Sequence, residues 1–348
     1  MAAQLDDGLP IPIIDFAPLL SDDCRQRLYT DAAKELYLAF KNIGFAYIKN
    51  YGTPPEVVDE AFAWSHRFFA LPQEEKDKVP HPPEGWNHRG YSTVGREKVS
   101  QMVFDKAGIA KQRRVPDMKE SFEMGNEKAA RARNIWPAEE VLPGFRRFFT
   151  DFFEACYQLE VKLLRAIAVG MGLDDGFFVD YHRNKDNQVR LLRYPPVEEA
   201  LLAAGKVDCI GAHTDFATLT MLFQDAAGGL EVERKSQKGR FDKAPYVPGT
   251  IVVNIGDFLM RWSNDELTST MHRVRTSAPA DSGEAAESGD GSGPRRMTRE
   301  RFSIPYFVAA DRERIIDCVP GCWGPDRPKK YEPISAGEYA DMRLNATY

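Results

Sequence analysis

The residues of this chain best suited to chemistry are His213 and Asp215, which are separated by one Thr, and the distant His272. Side chains two residues apart on a strand point to the same side, so we expect His213 and Asp215 to face one ion together. Two histidines and one carboxylate on one face of a metal leave its other positions open, which is the ligand arrangement of non-haem Fe(II) oxygenases. The three residues therefore predict an iron site with room for further ligands.

A second pair of polar residues, Arg301 and Ser303, follows His272 and is again spaced for one face of a strand. A guanidinium offers paired N–H donors to a carboxylate, and the Ser hydroxyl adds a third donor. A dicarboxylic acid that chelates iron through its 2-oxo-acid end needs such donors at its far carboxylate. The pair therefore predicts 2-oxoglutarate as co-substrate. Tyr194 is either a further phenol donor to that carboxylate or a tyrosine of the strand core.

A plainer interpretation is that the H-x-D residues cap turns or lie on the surface, because such a pair is common in chains of this length. The other histidines fall in predicted helices or loops, without a carboxylate two residues away on a strand. A non-catalytic jelly-roll binding protein, or a zinc or manganese enzyme, would have no use for Arg301 and Ser303. The combination of all these residues therefore favours an oxygenase that uses 2-oxoglutarate.

The composition is that of a soluble globular protein with a sizeable core: 348 residues, 43% of them hydrophobic and 28% charged. The net charge of −6 argues against a nucleic-acid surface. Five scattered cysteines suit a reducing compartment, and the apolar runs are far short of the ~20 residues that a membrane span needs. We therefore expect a cytoplasmic protein that acts on a small molecule without membrane or nucleic-acid partners. Its oligomeric state stays open.

The first part of the chain, residues 1–185, is predicted to be rich in helices. Apolar residues recur at helical spacing in three segments, which predicts helices over Asp22–Asn42, Pro54–Leu71 and Pro143–Gly172. Short apolar runs predict strands over Ile11–Phe16 and Gly44–Ile48. The C-terminal segment, residues 311–348, is predicted to end in a helix over Ser335–Leu344.

The middle of the chain, residues 186–310, changes to short β-type runs that are separated by Gly, Pro and Asp. The predicted strands are Val189–Tyr194, Thr218–Phe223, Leu230–Val232, Thr250–Ile255, Thr270–Val274 and Phe302–Val308. Many short strands of this kind favour a jelly roll over βαβ units. Residues 277–298, rich in Ser, Gly, Ala, Glu and Asp, are predicted to be a disordered insertion in it. We thus expect one domain over residues 1–348, mainly β with flanking helices.

Along nearly its whole length the chain resembles the Fe(II)/2-oxoglutarate dioxygenases of the isopenicillin N synthase-like superfamily. The likeness is carried, in order, by PIIDFAPLL, GFAYIKNYG, AHTDFATLTMLFQD, VVNIGDFLMRWSND, STMHRV and RERFSIPYF. It implies a distorted double-stranded β-helix with helices packed outside. It also implies Fe(II) on His213, Asp215 and His272, with 2-oxoglutarate on Arg301 and Ser303. O2 would be the co-substrate and ascorbate an activator. Some superfamily members keep the Arg-Ser pair without using 2-oxoglutarate, so an oxidase of that kind stays open.

Within the superfamily, GYSTVGREKVSQ, PDMKESFEMG, VRLLRYP and RLNATY resemble segments of the fungal thymine hydroxylases. This likeness implies hydroxylation of a pyrimidine base, stacked on Phe307 and held by Arg190. At two predicted pocket positions the chain differs from that group, with Phe216 in place of Tyr and Arg193 in place of His.

Two further interpretations concern the surroundings of this pocket. RLLRYP and IGAHTD also resemble the ethylene-forming enzymes, which act on 2-oxoglutarate and arginine; Arg190 and Arg193 would then both crowd the iron site. A secondary-metabolite oxygenase of the same fold is another alternative. Asn87 and Arg89, just before Gly90, either close the mouth of the pocket or belong to an ordinary solvated loop.

Overall fold

The computed structural model describes residues 11–84, 86–96, 115–129, 131–275 and 296–344. Its α-helices are α1 (Arg27–Asn42), α2 (Pro55–Phe69), α3 (Gln73–Lys76), α4 (Phe145–Gly170), α5 (Glu199–Ala203), α6 (Asp257–Trp262) and α7 (Ala336–Leu344), and short 3-10 helices span Ala17–Leu20 and Val179–Tyr181. The first seven strands are β1 (Ile13–Asp15), β2 (Phe45–Lys49), β3 (Gly90–Ser92), β4 (Glu120–Gly125), β5 (Gln188–Tyr194), β6 (Ile210–His213) and β7 (Leu219–Gln224). The next seven are β8 (Leu230–Glu233), β9 (Phe241–Lys243), β10 (Thr250–Ile255), β11 (His272–Val274), β12 (Arg301–Val308), β13 (Ile315–Ile316) and β14 (Ile334–Ser335).

Two sheets form the core of the molecule. The larger has eight strands in the order β1-β2-β10-β7-β12-β5-β4-β3, and the smaller has four in the order β6-β11-β8-β9. All neighbouring strands in these sheets pair antiparallel except β1 and β2, which are parallel. Buried residues of both sheets, among them Phe45, Tyr47 and Val252 of the larger and Leu230 and Val232 of the smaller, share one hydrophobic cluster. The sheets therefore pack face to face as in a jelly roll.

The alternation of side chains along the large sheet assigns its two faces. On β12, Phe302 and Ile304 are buried against the helices, whereas Arg301 and Ser303 face the other way. Because neighbouring side chains of a strand point to opposite faces, the face towards the helices is mainly apolar and the other face carries the polar groups of the cavity. The polar face is the one that meets the small sheet.

The helices cover the apolar face of the large sheet. The long helix α4 carries Phe149, Phe152, Leu163 and Ile167 at helical spacing, and all of them are buried in the main core. Helix α1 packs on α4 and buries Leu36 among other residues. This helix layer supports strands β5, β7 and β12 on one face. The polar groups on their opposite face are therefore held in fixed positions.

The fold class expected from the sequence, mainly β with flanking helices around a jelly roll, is confirmed. The helix-rich first part of the chain also contributes strands β1 to β4 to the large sheet. One expectation needs correction. In the predicted insertion, residues 277–295 lie outside the described residues, but Met297 pairs with Glu198, and the amide of Thr298 donates to the carbonyl of Val197. The residues after Leu344 also lie outside. No helix in the described ranges is long and apolar enough to cross a lipid bilayer.

Candidate active site

A cavity of about 490 Å³ opens between the two sheets. Its wall includes Arg190, Tyr194, Arg301 and Ser303 from the large sheet and His272 from the small one. A volume of several hundred Å³ is typical of sites for small organic ligands. The predicted iron and 2-oxoglutarate residues therefore line one shared space.

The three predicted metal ligands converge in this cavity. His213 ends β6 and is the direct cross-strand partner of His272 on β11. The Oδ1 atom of Asp215 lies 3.8 Å from Nε2 of His213 and 3.6 Å from Nε2 of His272. Asp215 lies beyond the end of β6, so the expectation that both residues of the H-x-D pair share a strand is wrong. The turn after the strand brings its carboxylate to the same point.

Hydrogen bonds orient all three groups from behind. The Nδ1 atoms of His213 and His272 lie 2.9 and 3.1 Å from the backbone carbonyls of Gly211 and Thr270. A ring whose Nδ1 proton is given to a carbonyl presents the lone pair of Nε2, as metal-binding histidines do. The Oδ2 atom of Asp215 accepts from Thr220 Oγ1 at 2.6 Å and from Asn254 Nδ2 at 2.8 Å, which turns Oδ1 towards the histidines.

The electrostatics of the site suit a cation. Burial, assisted by His272, lowers the pKa of His213 to about 3, so its imidazole is neutral near pH 7. Burial alone would raise the pKa of Asp215, but His272, the nearby His213 and the bond from Asn254 hold it well below its usual range. Burial alone would lower the pKa of His272, but the Asp215 carboxylate outweighs burial and raises it. A neutral imidazole and an ionised carboxylate are the states that a metal requires, and a bound cation would favour both.

The donor set fits a divalent metal. Ligand bonds of roughly 2.0–2.2 Å allow two ligand atoms of one ion to lie up to about 4 Å apart, and the separations of 3.6 and 3.8 Å fall inside that limit. Two imidazoles and one carboxylate that leave the remaining positions to other ligands favour Fe(II) among common metals. His213, Asp215 and His272 can therefore hold such an ion.

The predicted carboxylate donors lie on neighbouring strands of the same wall. Arg301 and Tyr194 are cross-strand partners on β12 and β5, with the guanidinium 4.8 Å from the Tyr ring centre. Nε of Arg301 donates to the carbonyl of Gly228 at 2.6 Å, and Nη1 donates to Oγ of Ser303 at 3.0 Å. Burial raises the pKa of Tyr194 to about 12, which keeps the phenol protonated. The three side chains are thus fixed donors for an acidic ligand.

Next to them, Arg190 belongs to a buried cluster of charged groups that the sequence did not predict. Its Nε lies 3.1 Å from Oε1 of Glu123 and its Nη2 lies 3.0 Å from Nδ1 of His88. Burial alone would raise the pKa of Glu123, but Arg190, His88 and His81 hold it well below its usual range. The guanidinium also lies 5.7 Å from the ring centre of Phe307, which lines the cavity as predicted. Glu123 therefore anchors Arg190 in the cavity wall.

Four further residues were predicted to lie in the pocket, and only two of them do. Phe216 and Arg89 line the cavity, but Arg193 and Asn87 do not. Arg193 is three residues from Arg190 on β5 and so points to the opposite face, where it pairs with Glu120 at 2.6 Å and Glu300 at 2.7 Å. The predicted pocket positions of Arg193 and Asn87 are therefore corrected.

The C-terminal helix supports the loop that holds Asp215, a connection that the sequence analysis missed. Arg343 on α7 is buried, lies 2.6 Å from Oδ2 of Asp257, and sits 4.1 Å from the ring centre of Phe216. The same Asp257 oxygen accepts from Thr214 Oγ1 at 2.9 Å, and the backbone N–H of Asp257 donates to the carbonyl of Asp215 at 2.8 Å. The polar Asn254 in the apolar run TIVVNI was a usable signal for the iron site; nothing local marked Arg343.

Comparison with known proteins gives the same class. Residues 11–139 match the family of non-haem dioxygenases in morphine synthesis (N-terminal region), and residues 184–310 match the 2OG-Fe(II) oxygenase superfamily. The proline hydroxylase buaE of Petromyces alliaceus is 38% identical over 90% of this chain and 93% of its own length. The 2-oxoglutarate-dependent dioxygenase frbA of a Dothideomycetidae species is 34% identical over 98% of both chains.

A solved structure extends the likeness to the whole fold. The full-length thymine 7-hydroxylase of Neurospora crassa, crystallised with 2-oxoglutarate and thymine, has a TM-score of 0.85 and 39% identity, with full coverage of both chains. The chain belongs to the 2OG-Fe(II) oxygenase superfamily. It is an oxidoreductase of the dioxygenase class, and Fe(II) and 2-oxoglutarate are the cofactor and co-substrate of that class.

Proposed function

We propose that this protein oxidises a C–H bond of a small molecule, most simply to the alcohol, with Fe(II) on His213, Asp215 and His272. The main support is that the ligand atoms of these three residues converge in the same cavity that the Arg301 and Ser303 donors line. Bound Fe(II) would supply O2 activation, coupling decarboxylation of 2-oxoglutarate to succinate and CO2 with oxidation of the substrate.

The roles of the chain's own residues follow from their contacts. Arg301 and Ser303, with the protonated phenol of Tyr194, would bind the far carboxylate of 2-oxoglutarate by charge-assisted hydrogen bonds. The carbonyl of Gly228 holds the guanidinium in place, so that little side-chain freedom is lost on binding. Thr220 and Asn254 keep Asp215 in one orientation. Such fixed donors position co-substrate and substrate relative to each other, which is the larger part of the protein's task.

Two substrate classes are supported by different observations. A pyrimidine base such as thymine is supported by the likeness to the thymine-bound Neurospora enzyme and by the Arg190 guanidinium beside the Phe307 ring. A flat ring would stack on Phe307 while its carbonyl oxygens accept from Arg190. A carboxylic acid of secondary metabolism is supported by the relative named a proline hydroxylase.

One consequence of the ethylene-forming alternative is not met. That alternative expected Arg190 and Arg193 to lie together beside the iron, but the guanidinium of Arg193 is instead paired with Glu120 and Glu300 outside the cavity. A non-catalytic binding protein would need neither set of donors. Oxidation of a small molecule is therefore the function that we carry forward.

The proposal is tested by incubating the protein with Fe(II), ascorbate and 2-oxoglutarate in air, with thymine or with L-proline. Succinate and the mass of the second compound are followed together. We expect succinate in step with a gain of one oxygen by the true substrate, and neither product with Asp215→Ala. Succinate at the wild-type rate from the Asp215→Ala protein would contradict the assigned iron ligands.

A further inference from the structure

The arginines of the cavity wall fall into two groups by their partners. Within the described residues, five line the cavity: Arg89, Arg131, Arg190, Arg301 and Arg312. Arg131 and Arg312 pair with Asp341 at 3.1 and 2.7 Å, and Arg190 pairs with Glu123 at 3.1 Å. Arg89 and Arg301 have no carboxylate oxygen of a described residue within 4 Å, so their charge is not balanced by a contacting acid.

Arg301 illustrates the role that an arginine without a contacting carboxylate can have in this cavity. It is buried, fixed by Gly228 and Ser303, and lacks an acidic partner because its partner is the carboxylate of the co-substrate under the proposed function. Arg89, whose guanidinium lies beside Gly125, has the same character. It is 8% exposed, and its Nη1 donates to the carbonyl of His88 at 2.7 Å. Its Nε–H has no hydrogen-bond partner among the described residues.

The fold makes room for this guanidinium. A Cβ atom on Gly125, at the end of β4, would lie 2.2 Å from Nη2 and 2.6 Å from Cζ of Arg89, so only a glycine allows the group to lie there. Burial lowers the pKa of Arg89 to about 10, and Glu123 and Asp186 oppose that fall, so the side chain stays charged near pH 7. A buried cation that no carboxylate contacts, and whose Nε–H is unpaired, destabilises a protein unless a ligand anion pairs with it.

We propose that Arg89 binds a carboxylate of the substrate, so that the molecule oxidised in this cavity is an organic acid. The inference rests on the proposed oxygenase function and narrows its substrate class, placing an acid ahead of neutral thymine. His88 connects the two substrate-facing guanidinium groups, because its carbonyl accepts from Arg89 and its ring contacts Arg190. Arg190, already paired with Glu123, is then left to recognise a neutral acceptor of the same molecule.

The first test needs no substrate. Arg89→Met keeps the approximate length of the side chain and removes a buried charge that no carboxylate contacts, so the ligand-free variant should melt at the wild-type temperature or ~1–3 °C above it. Arg190→Met is the matched control, because it leaves the buried Glu123 without its cation and should melt several degrees lower. A fall of the Arg89→Met protein as large as that of the control would make Arg89 a structural residue and overturn the proposal.

The second test uses matched acids and amides. Under nitrogen, with Fe(II) and saturating 2-oxoglutarate to fill the Arg301 site, melting temperatures are measured with orotate against orotamide, benzoate against benzamide and L-proline against L-prolinamide. We expect at least one acid to stabilise the wild type by ~2 °C or more beyond its amide, with the difference lost in Arg89→Met and partly kept in Arg89→Lys. Equal shifts from every acid and its amide would overturn the proposal.

A third measurement distinguishes failure of the proposed carboxylate site from failure of the proposed oxygenase function. The same preparations are assayed for succinate formed from 2-oxoglutarate without any second substrate. Succinate formation by the wild type, together with a ~100-fold loss of kcat/KM in Arg89→Met for an acid that is oxidised, is the expected pattern. Oxidation of a neutral compound at an equal rate by both proteins would reject the carboxylate site and leave the oxygenase standing. Absence of succinate in the wild type, both without a second substrate and with every acid and neutral compound tested, would instead reject the oxygenase.

Discussion

Replacement of Arg343 by Met should weaken both the fold and the iron site, because this residue joins the C-terminal helix to the loop between two iron ligands. Arg343 and Asp257 are 2% and 9% exposed and lie 2.6 Å apart. Removal of one partner of a buried pair typically destabilises a protein by about 3–5 kcal/mol. The hydroxyl of Thr214 still donates to Asp257, so we expect a loss at the lower end, about 3 kcal/mol. For a chain of this size that corresponds to a fall in melting temperature of roughly 5 °C.

The effect on iron follows from the position of Asp257. Its side chain holds Thr214 and its backbone N–H holds the carbonyl of Asp215, so a displaced Asp257 moves the loop that carries the carboxylate ligand. Changes in groups that orient metal ligands typically weaken metal affinity by about 10–100-fold. We expect a loss of Fe(II) affinity in this range, measured by anaerobic titration at a temperature where the variant is folded.

Two further variants distinguish loss of the Arg343–Asp257 contact from general destabilisation of the protein. Arg183→Met removes the exposed Arg183–Asp180 pair and should change neither melting temperature nor iron affinity. The double variant Arg343→Met with Asp257→Asn removes both buried charges and should recover part of the lost stability. Wild-type stability and wild-type iron affinity in Arg343→Met would refute the reasoning.

Four further outcomes are expected. Asp215→Ala should bind Fe(II) too weakly to form succinate, as measured by metal titration and product analysis. Arg301→Lys should raise KM for 2-oxoglutarate at least ~10-fold, because an ammonium replaces the paired donors; steady-state kinetics check this. Arg193→Met should lower the melting temperature by leaving the buried Glu120 with less charge compensation, while KM for 2-oxoglutarate stays unchanged. Burial lowers the pKa of His182 to about 4 from 6.5, so the unfolded state binds this proton more readily than the folded state. The free energy of unfolding should therefore have its full value above pH 6.5 and fall by about 3 kcal/mol as the pH falls towards 4. Urea unfolding across this range should show a shallower pH dependence for His182→Gln.

Much of the architecture could be predicted from periodicity. The strand over Thr250–Ile255 was predicted at its observed bounds, and the predicted helix over Pro143–Gly172 differs by two residues at each end from α4. These segments have strong apolar patterns that local sequence displays directly. Strand β4 was missed, because its ESFEMG sequence carries two glutamates whose burial depends on Arg193, Lys76 and Arg190 from elsewhere in the chain.

The candidate site was predictable where spacing alone fixes direction. The residues Arg301 and Ser303 are two apart on one strand, and the structure directs both into the cavity. The same rule, applied to Arg190 and Arg193, would have separated them, since residues three apart on a strand face opposite sides. The roles of Glu123, Asp257 and Arg343 depend on contacts between distant elements, and no local pattern encodes those.

The most direct test of the central claim is the fate of molecular oxygen. The protein is incubated with Fe(II) and 2-oxoglutarate under 18O2, and the succinate formed is analysed by mass spectrometry. The proposed function predicts succinate that carries one 18O atom, formed only when Fe(II) is present and absent with Asp215→Ala. Unlabelled succinate, or succinate formed equally well by the Asp215→Ala protein, would contradict it.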